Sequence, residues 1–182
     1  MSATANQPST KSFLSPLGFK FVIKKTPHIN YFVQAVSLPS ISLNRSEIPT
    51  PFVKLPYAGD HVDFSDLTVT FKVDEDLKNY LEIYNWITSI GFPDSFDQYK
   101  TIDEIRRSKN TGNVPAMSGQ GVYSDATLTI LSSAMNPIHN ITFINAFPTS
   151  VSELEFTTTD SDVNYLTSTV TFAYQKYNIE SL

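Results

Sequence analysis

Between residues 39 and 57 four prolines, Pro39, Pro49, Pro51 and Pro56, punctuate a stretch that also carries Phe52, Val53, Leu55 and Tyr57. A proline fixes φ and removes a backbone donor, so this stretch cannot be the central strand of a sheet. It is equally unsuited to an idle loop, because burying one such apolar side chain is worth about 1.5–3 kcal/mol and four left in water would be sticky. An extended arm or edge hairpin that covers something satisfies both constraints. It covers either its own core or a neighbouring subunit. The neighbour is favoured, because prolines hold a segment extended at low entropic cost. Phe52, Val53, Leu55, Pro56 and Tyr57 are therefore the candidate subunit-contact residues, with Ala58-Gly59-Asp60 expected to turn the chain out of the arm.

Elsewhere the dominant period is two. Phe19, Phe21 and Ile23 alternate with Lys20 and Val22, and a compact turn at residues 26–30 leads to a second apolar run at 31–36, which predicts a hairpin. Leu67, Val69, Phe71 and Val73 share one face of a clear strand, with Thr68, Thr70 and Lys72 on the other. Further strands are expected at 122–131, 138–147, 154–156 and 167–177. Helical spacing is confined to one segment of about 75–90. There Leu77, Tyr80, Leu81, Tyr84, Ile87 and Ile90 form the stripe expected to pack on the sheet, with Asp74 as cap and Gly91 as stop. The T-x-x-E spacing of Thr101 and Glu104 allows a short second helix, followed by a glycine-rich loop to residue 121. The sum is a mainly β chain: a sandwich or barrel of antiparallel strands with one flanking α-helix. It reads as a flexible arm at 1–15 and a single domain at 16–182, with a segment inserted at about 92–121.

The composition removes whole classes of chemistry. There is no cysteine, hence no thiolate nucleophile and no cysteine-based metal site. His28, His61 and His139 are too scattered for a helical ligand pair, and each reads as a turn or surface residue. Asp60, Asp63 and Asp66 lack the glycine and terminal glutamate of a calcium loop. Ser118 sits in no nucleophile elbow, and phosphate-binding glycine fingerprints are missing. No catalytic residue, cofactor or metal is expected. A net charge of −5, with no basic run beyond Lys24-Lys25 and Arg106-Arg107, argues against gripping a nucleic-acid backbone. It leaves open a wall past which DNA slides. The start lacks the pattern of a signal peptide, and no apolar run is long enough for a membrane-spanning helix.

Two blocks carry a resemblance. The first runs from Ala58-Gly59-Asp60 through Phe64-Ser65-Asp66-Leu67-Thr68-Val69-Thr70-Phe71 and Val73-Asp74-Glu75-Asp76 into the helix at Trp86. The second is Phe147-Pro148-Thr149-Ser150-Val151-Ser152-Glu153-Leu154, followed by Val170-Thr171-Phe172-Ala173-Tyr174. In this order they resemble the tail-tube proteins of contractile-tailed, T4-like bacteriophages, a family that includes tube-initiating baseplate proteins. The resemblance spans residues 16–178. It implies a structural virion protein that pairs with itself in hexameric rings, stacked into a channel that conducts DNA. The implied partners are the tail sheath and baseplate or neck proteins, with genomic DNA only as passing cargo and no membrane insertion. The alternative is an initiator, terminator or baseplate adaptor docked on the tube. The inserted segment is where the chain departs from the family.

Overall fold

A computed structural model describes residues 13–91, 122–158 and 165–182. The inserted segment, the second helix considered at Thr101–Glu104 and residues 1–12 of the arm lie outside these. The architecture is organised by β7 (Pro137–Val151), a strand of 15 residues that serves two sheets. Its first part lies between β6 (Ser124–Leu131) and β9 (Lys176–Ser181), and its last part pairs with β8 (Thr167–Ala173). The change of sheet occurs at Asn145, which adopts a left-handed φ of 56°. There the backbone N–H reaches Asp125 Oδ1 at 3.4 Å, and the side-chain amide donates to Gln175 Oε1 at 3.0 Å. Asparagine tolerates this conformation better than most side chains, so the bend has a residue suited to it.

β1 (Phe19–Ile23) pairs with β6, while β5 (Leu67–Lys72) lies between β8 and β2 (Val33–Ser37). Every pairing is antiparallel, and the strand order is β1-β6-β7-β8-β5-β2 with β9 on β7. The inner faces of the two halves meet in one core. Phe21, Ile23, Leu128, Ile141 and Phe143 come from one half, and Leu67, Val69, Phe71, Val170 and Phe172 from the other. The helix α2 (Lys78–Gly91) lies against this core through Ile83 and Trp86. The Trp86 ring sits 6.1 Å from that of Phe172, and its N–H donates to the Val122 carbonyl at 2.8 Å. This is the expected antiparallel β architecture with a flanking helix.

Several local expectations are corrected. β1 and β2 do not form a hairpin, because a one-turn helix, α1 (Ile29–Phe32), separates them. The side chain of Asn30 takes up both backbone groups of Ile23, accepting its N–H at 2.9 Å and donating to its carbonyl at 3.2 Å. Residues 154–156 form no strand, and the run at 167–177 divides into β8 and β9 around Tyr174 and Gln175. Ala58, Gly59 and Asp60 lie inside a strand rather than at a turn.

The stripe expected to bury α2 is right only in part: Ile87 and Ile90 pack on the core, but Leu81 and Tyr84 do not. Asn79, Ile83 and Trp86 are buried, whereas Leu81 and Tyr84 remain 44% and 50% exposed. The helix is apolar on two faces, so spacing alone cannot choose between them. Asn79 chooses. Its amide donates to the Lys72 carbonyl at 2.8 Å, and its oxygen accepts the N–H groups of Asp74 and Tyr80, which fixes the rotation of the first turn.

Candidate functional site

β3 (Ile41–Pro49) and β4 (Lys54–Phe64) form a separate two-stranded sheet that holds the proline-rich segment. Both are edge strands, the setting in which a strand tolerates proline. The tip is a tight turn with Pro51 and Phe52 at its centre, in which the Thr50 N–H donates to the Val53 carbonyl at 3.1 Å. The Thr50 hydroxyl accepts the Val53 N–H, also at 3.1 Å. Phe52 is consequently held at the apex, 99% exposed.

Below the tip the pairing sorts side chains onto two faces, because residues directly opposite share a face and alternate along each strand. Ile48 pairs with Leu55 and Ser46 with Tyr57, so Ile48, Leu55 and Tyr57 lie together. Glu47 lies on the other face, where its carboxylate meets Arg45 at 3.5 Å and Lys54 at 3.6 Å. Pro56, paired with Glu47, belongs to this charged face rather than with Leu55 and Tyr57. The hairpin is therefore amphipathic, yet neither face packs on the subunit's own core: Leu55 is 44% and Tyr57 55% exposed. Ile48 was missed in the sequence because only its cross-strand register reveals it as a neighbour of Leu55.

Midway down, the register shifts between the pairs Leu43–Val62 and Arg45–Ala58, leaving Asn44 opposite Gly59, Asp60 and His61. A Cβ at residue 59 would stand 2.2 Å from the Asn44 carbonyl oxygen, so only glycine fits. At the base, the Ser65 N–H donates to the Ser40 carbonyl at 3.1 Å, and the two serine hydroxyls are 2.6 Å apart.

Two further surfaces matter. On β5 and β8 the face turned from the core pairs Thr68 with Thr171 and Thr70 with Thr169, the last two hydroxyls 3.1 Å apart. On α2 the exposed side carries Leu81 and Tyr84. The histidines do not converge. His28 bonds Glu82 at 2.5 Å, His61 is exposed on β4, and His139 meets the Ser181 hydroxyl at 3.3 Å beside an open cleft lined by Phe13, Leu14 and Ile138. Among the described residues no carboxylate bonds the His139 ring, and none of the acidic or histidine side chains cluster as metal ligands.

A sequence family described as phage tail tube protein matches residues 4–180. The chain belongs to that family. It is a structural component of phage tails, not a catalyst. Among solved structures, a sheath/tube terminator of the extracellular contractile injection system PVC superposes with a TM-score of 0.58 at 17% identity, covering 94% of this chain and 99% of that one. The tube-terminating cap of the anti-feeding prophage gives 0.57 at 13% identity over the whole of both chains. A chain from the PVC sheath–tube complex gives 0.56 at 15%, covering 100% of this chain and 99% of that one. What these share with the tail tube protein is its fold. No curated protein sequence matches it.

Proposed function

We propose that this tail tube protein is the repeating subunit of the tube, forming hexameric rings that stack into a DNA-conducting channel in the virion tail. The observation that carries this reading is the β3–β4 hairpin, whose apolar face of Ile48, Leu55 and Tyr57 and apical Phe52 remain exposed and lie outside the core formed by the described residues. A hairpin that projects from one subunit onto a different surface of the next makes a heterologous contact, which generates closed rings or stacks. Among the described residues β1 and β2 each have one unpaired edge, and such edges also call for partners, because they are templates for association. The paired threonines of β5 and β8 provide a neutral face suited to the wall of a water-filled channel. DNA would then be passing cargo, with the sheath and baseplate or neck proteins as outer and terminal partners.

The test is the double change Leu55→Asp with Tyr57→Ser. The variant is expected to keep its circular dichroism and melting temperature while losing rings and tubes in sedimentation and negative-stain images. Normal assembly would remove the hairpin from the interface, and an unfolded variant would return these residues to the subunit core.

A second reading has its own support. The chain superposes on a cap and a terminator as well as it does on the chain from a sheath–tube complex. A terminator or initiator adaptor would give single closed rings at every protein concentration, whereas a tube subunit gives stacks.

A further inference from the structure

We propose that Tyr174 is a positioning residue whose hydroxyl fixes the direction in which the β3–β4 hairpin leaves the barrel. The hairpin extends the ribbon of β2 and β5, which are paired as far as Ser37 and Thr68. Beyond that pair the ribbon is interrupted, and neither β3 nor β4 pairs with any other described strand. The Ser40–Ser65 bonds hold the two strands to each other but not to the barrel. Left with these alone, the hairpin would swing about its base.

Tyr174, just beyond the end of β8, supplies a link to the barrel. Its hydroxyl donates to the Ser65 carbonyl at 2.7 Å. Phe64, the last residue of β4, places its ring edge-on to Tyr177 at 5.3 Å and tilted against Tyr174 at 6.2 Å. Both tyrosines rest in turn on Phe143, at 5.1 and 5.8 Å, and Phe143 is fully buried. A continuous chain of contacts thus runs from the core through Tyr174 and Tyr177 to Phe64 and Ser65. Burial, with Tyr177 and the Asp66 carboxylate adding to it, pushes the Tyr174 hydroxyl up to about 12, so it stays a donor at neutral pH.

The leverage is large. At roughly 3.3 Å per residue, the eight steps of β3 from Ile41, opposite Phe64, to Pro49, opposite Lys54, carry the tip at least about 26 Å from Phe64, so a swing of about 10° would displace it by about 5 Å. Phenylalanine at 174 would keep the ring contacts and remove only the bond to Ser65, which separates positioning from packing.

The chain has no cysteine, so spin labels can be placed by Phe52→Cys at the tip and Asn85→Cys on the exposed side of α2. Electron–electron distances would be measured on the full chain at a dilution that keeps it monomeric. The parent is expected to give one narrow distance distribution, and Tyr174→Phe a distribution at least about twice as wide, with a melting temperature lowered by only about 2–4 °C. A Phe64→Leu variant, which keeps the hydroxyl bond and loses the ring stack, is expected to widen it less. An unchanged width in Tyr174→Phe would overturn the proposal, as would a variant that no longer folds, since Tyr174 would then be a core residue. The consequence for assembly, fewer or shorter tubes from unlabelled Tyr174→Phe, rests on the tube reading. The distances do not, so the failure of one can be told from the failure of the other.

Discussion

The ribbon of β5 and β8 and the ribbon of β3 and β4 are built alike, as antiparallel pairs with side chains sorted onto two faces, yet they end in opposite environments. Leu67, Val69, Phe71, Val170 and Phe172 are fully buried, whereas Ile48, Leu55 and Tyr57 are substantially exposed. In the first ribbon the apolar face is answered by the opposite sheet and by Trp86. In the second no layer of the described residues stands opposite, and the side chains stay substantially exposed. The same alternation therefore gives a core in one place and an exposed apolar face in the other. What separates them is whether a second layer stands opposite.

That contrast can be broken most forcefully in the core. Phe172→Ala removes a ring at the centre of the packing and is expected to cost about 3–5 kcal/mol in denaturant melts. A loss below about 1 kcal/mol would mean that the β5–β8 face is no better covered than the hairpin.

A smaller and more local effect is expected at Gly59. In Gly59→Ala the new methyl meets the Asn44 carbonyl, so the strands must part at the bulge. Hydrogen exchange should speed up at amides of β3 and β4 while β5, β7 and β8 stay protected. Equal loss in both regions would show that the hairpin and the main sheet unfold as one unit.

The smallest effect belongs to Leu81, on the outer side of α2. Because it is 44% exposed, Leu81→Ala should cost less than about 1 kcal/mol, not the 2–5 kcal/mol of a buried leucine. A larger loss would put the stripe of Leu81 and Tyr84 back in the core.

Much of this was legible before any coordinates. The alternation at residues 67–73 reports a half-buried strand directly, since side chains on a strand point to opposite faces whatever surrounds them. The prolines excluded a central strand at 39–57, and the segment is a hairpin of two edge strands. The helix was legible as a helix, but its buried face only in part: Ile87 and Ile90 pack on the core as expected, while Ile83 and Trp86 take the place of Leu81 and Tyr84. The link between Asn79 and the Lys72 carbonyl decides the rotation, and no periodicity encodes it. Nor did the sequence reveal that Asn30 would replace a hairpin between β1 and β2.

By itself, then, the sequence determined the kind of each strong element and the poverty of chemistry. Both depend on residue type and short-range spacing: β-branched and aromatic alternation, proline's missing donor, the absent cysteine. Register, face and direction were left to the tertiary structure. Pro56 sharing the charged face with Glu47, Gly59 facing Asn44, and Tyr174 reaching Ser65 across 109 positions all depend on which distant residues the fold brings opposite. Such partners are set by the packing of the whole chain, because a strand's hydrogen bonds and its cover both come from elsewhere in the sequence.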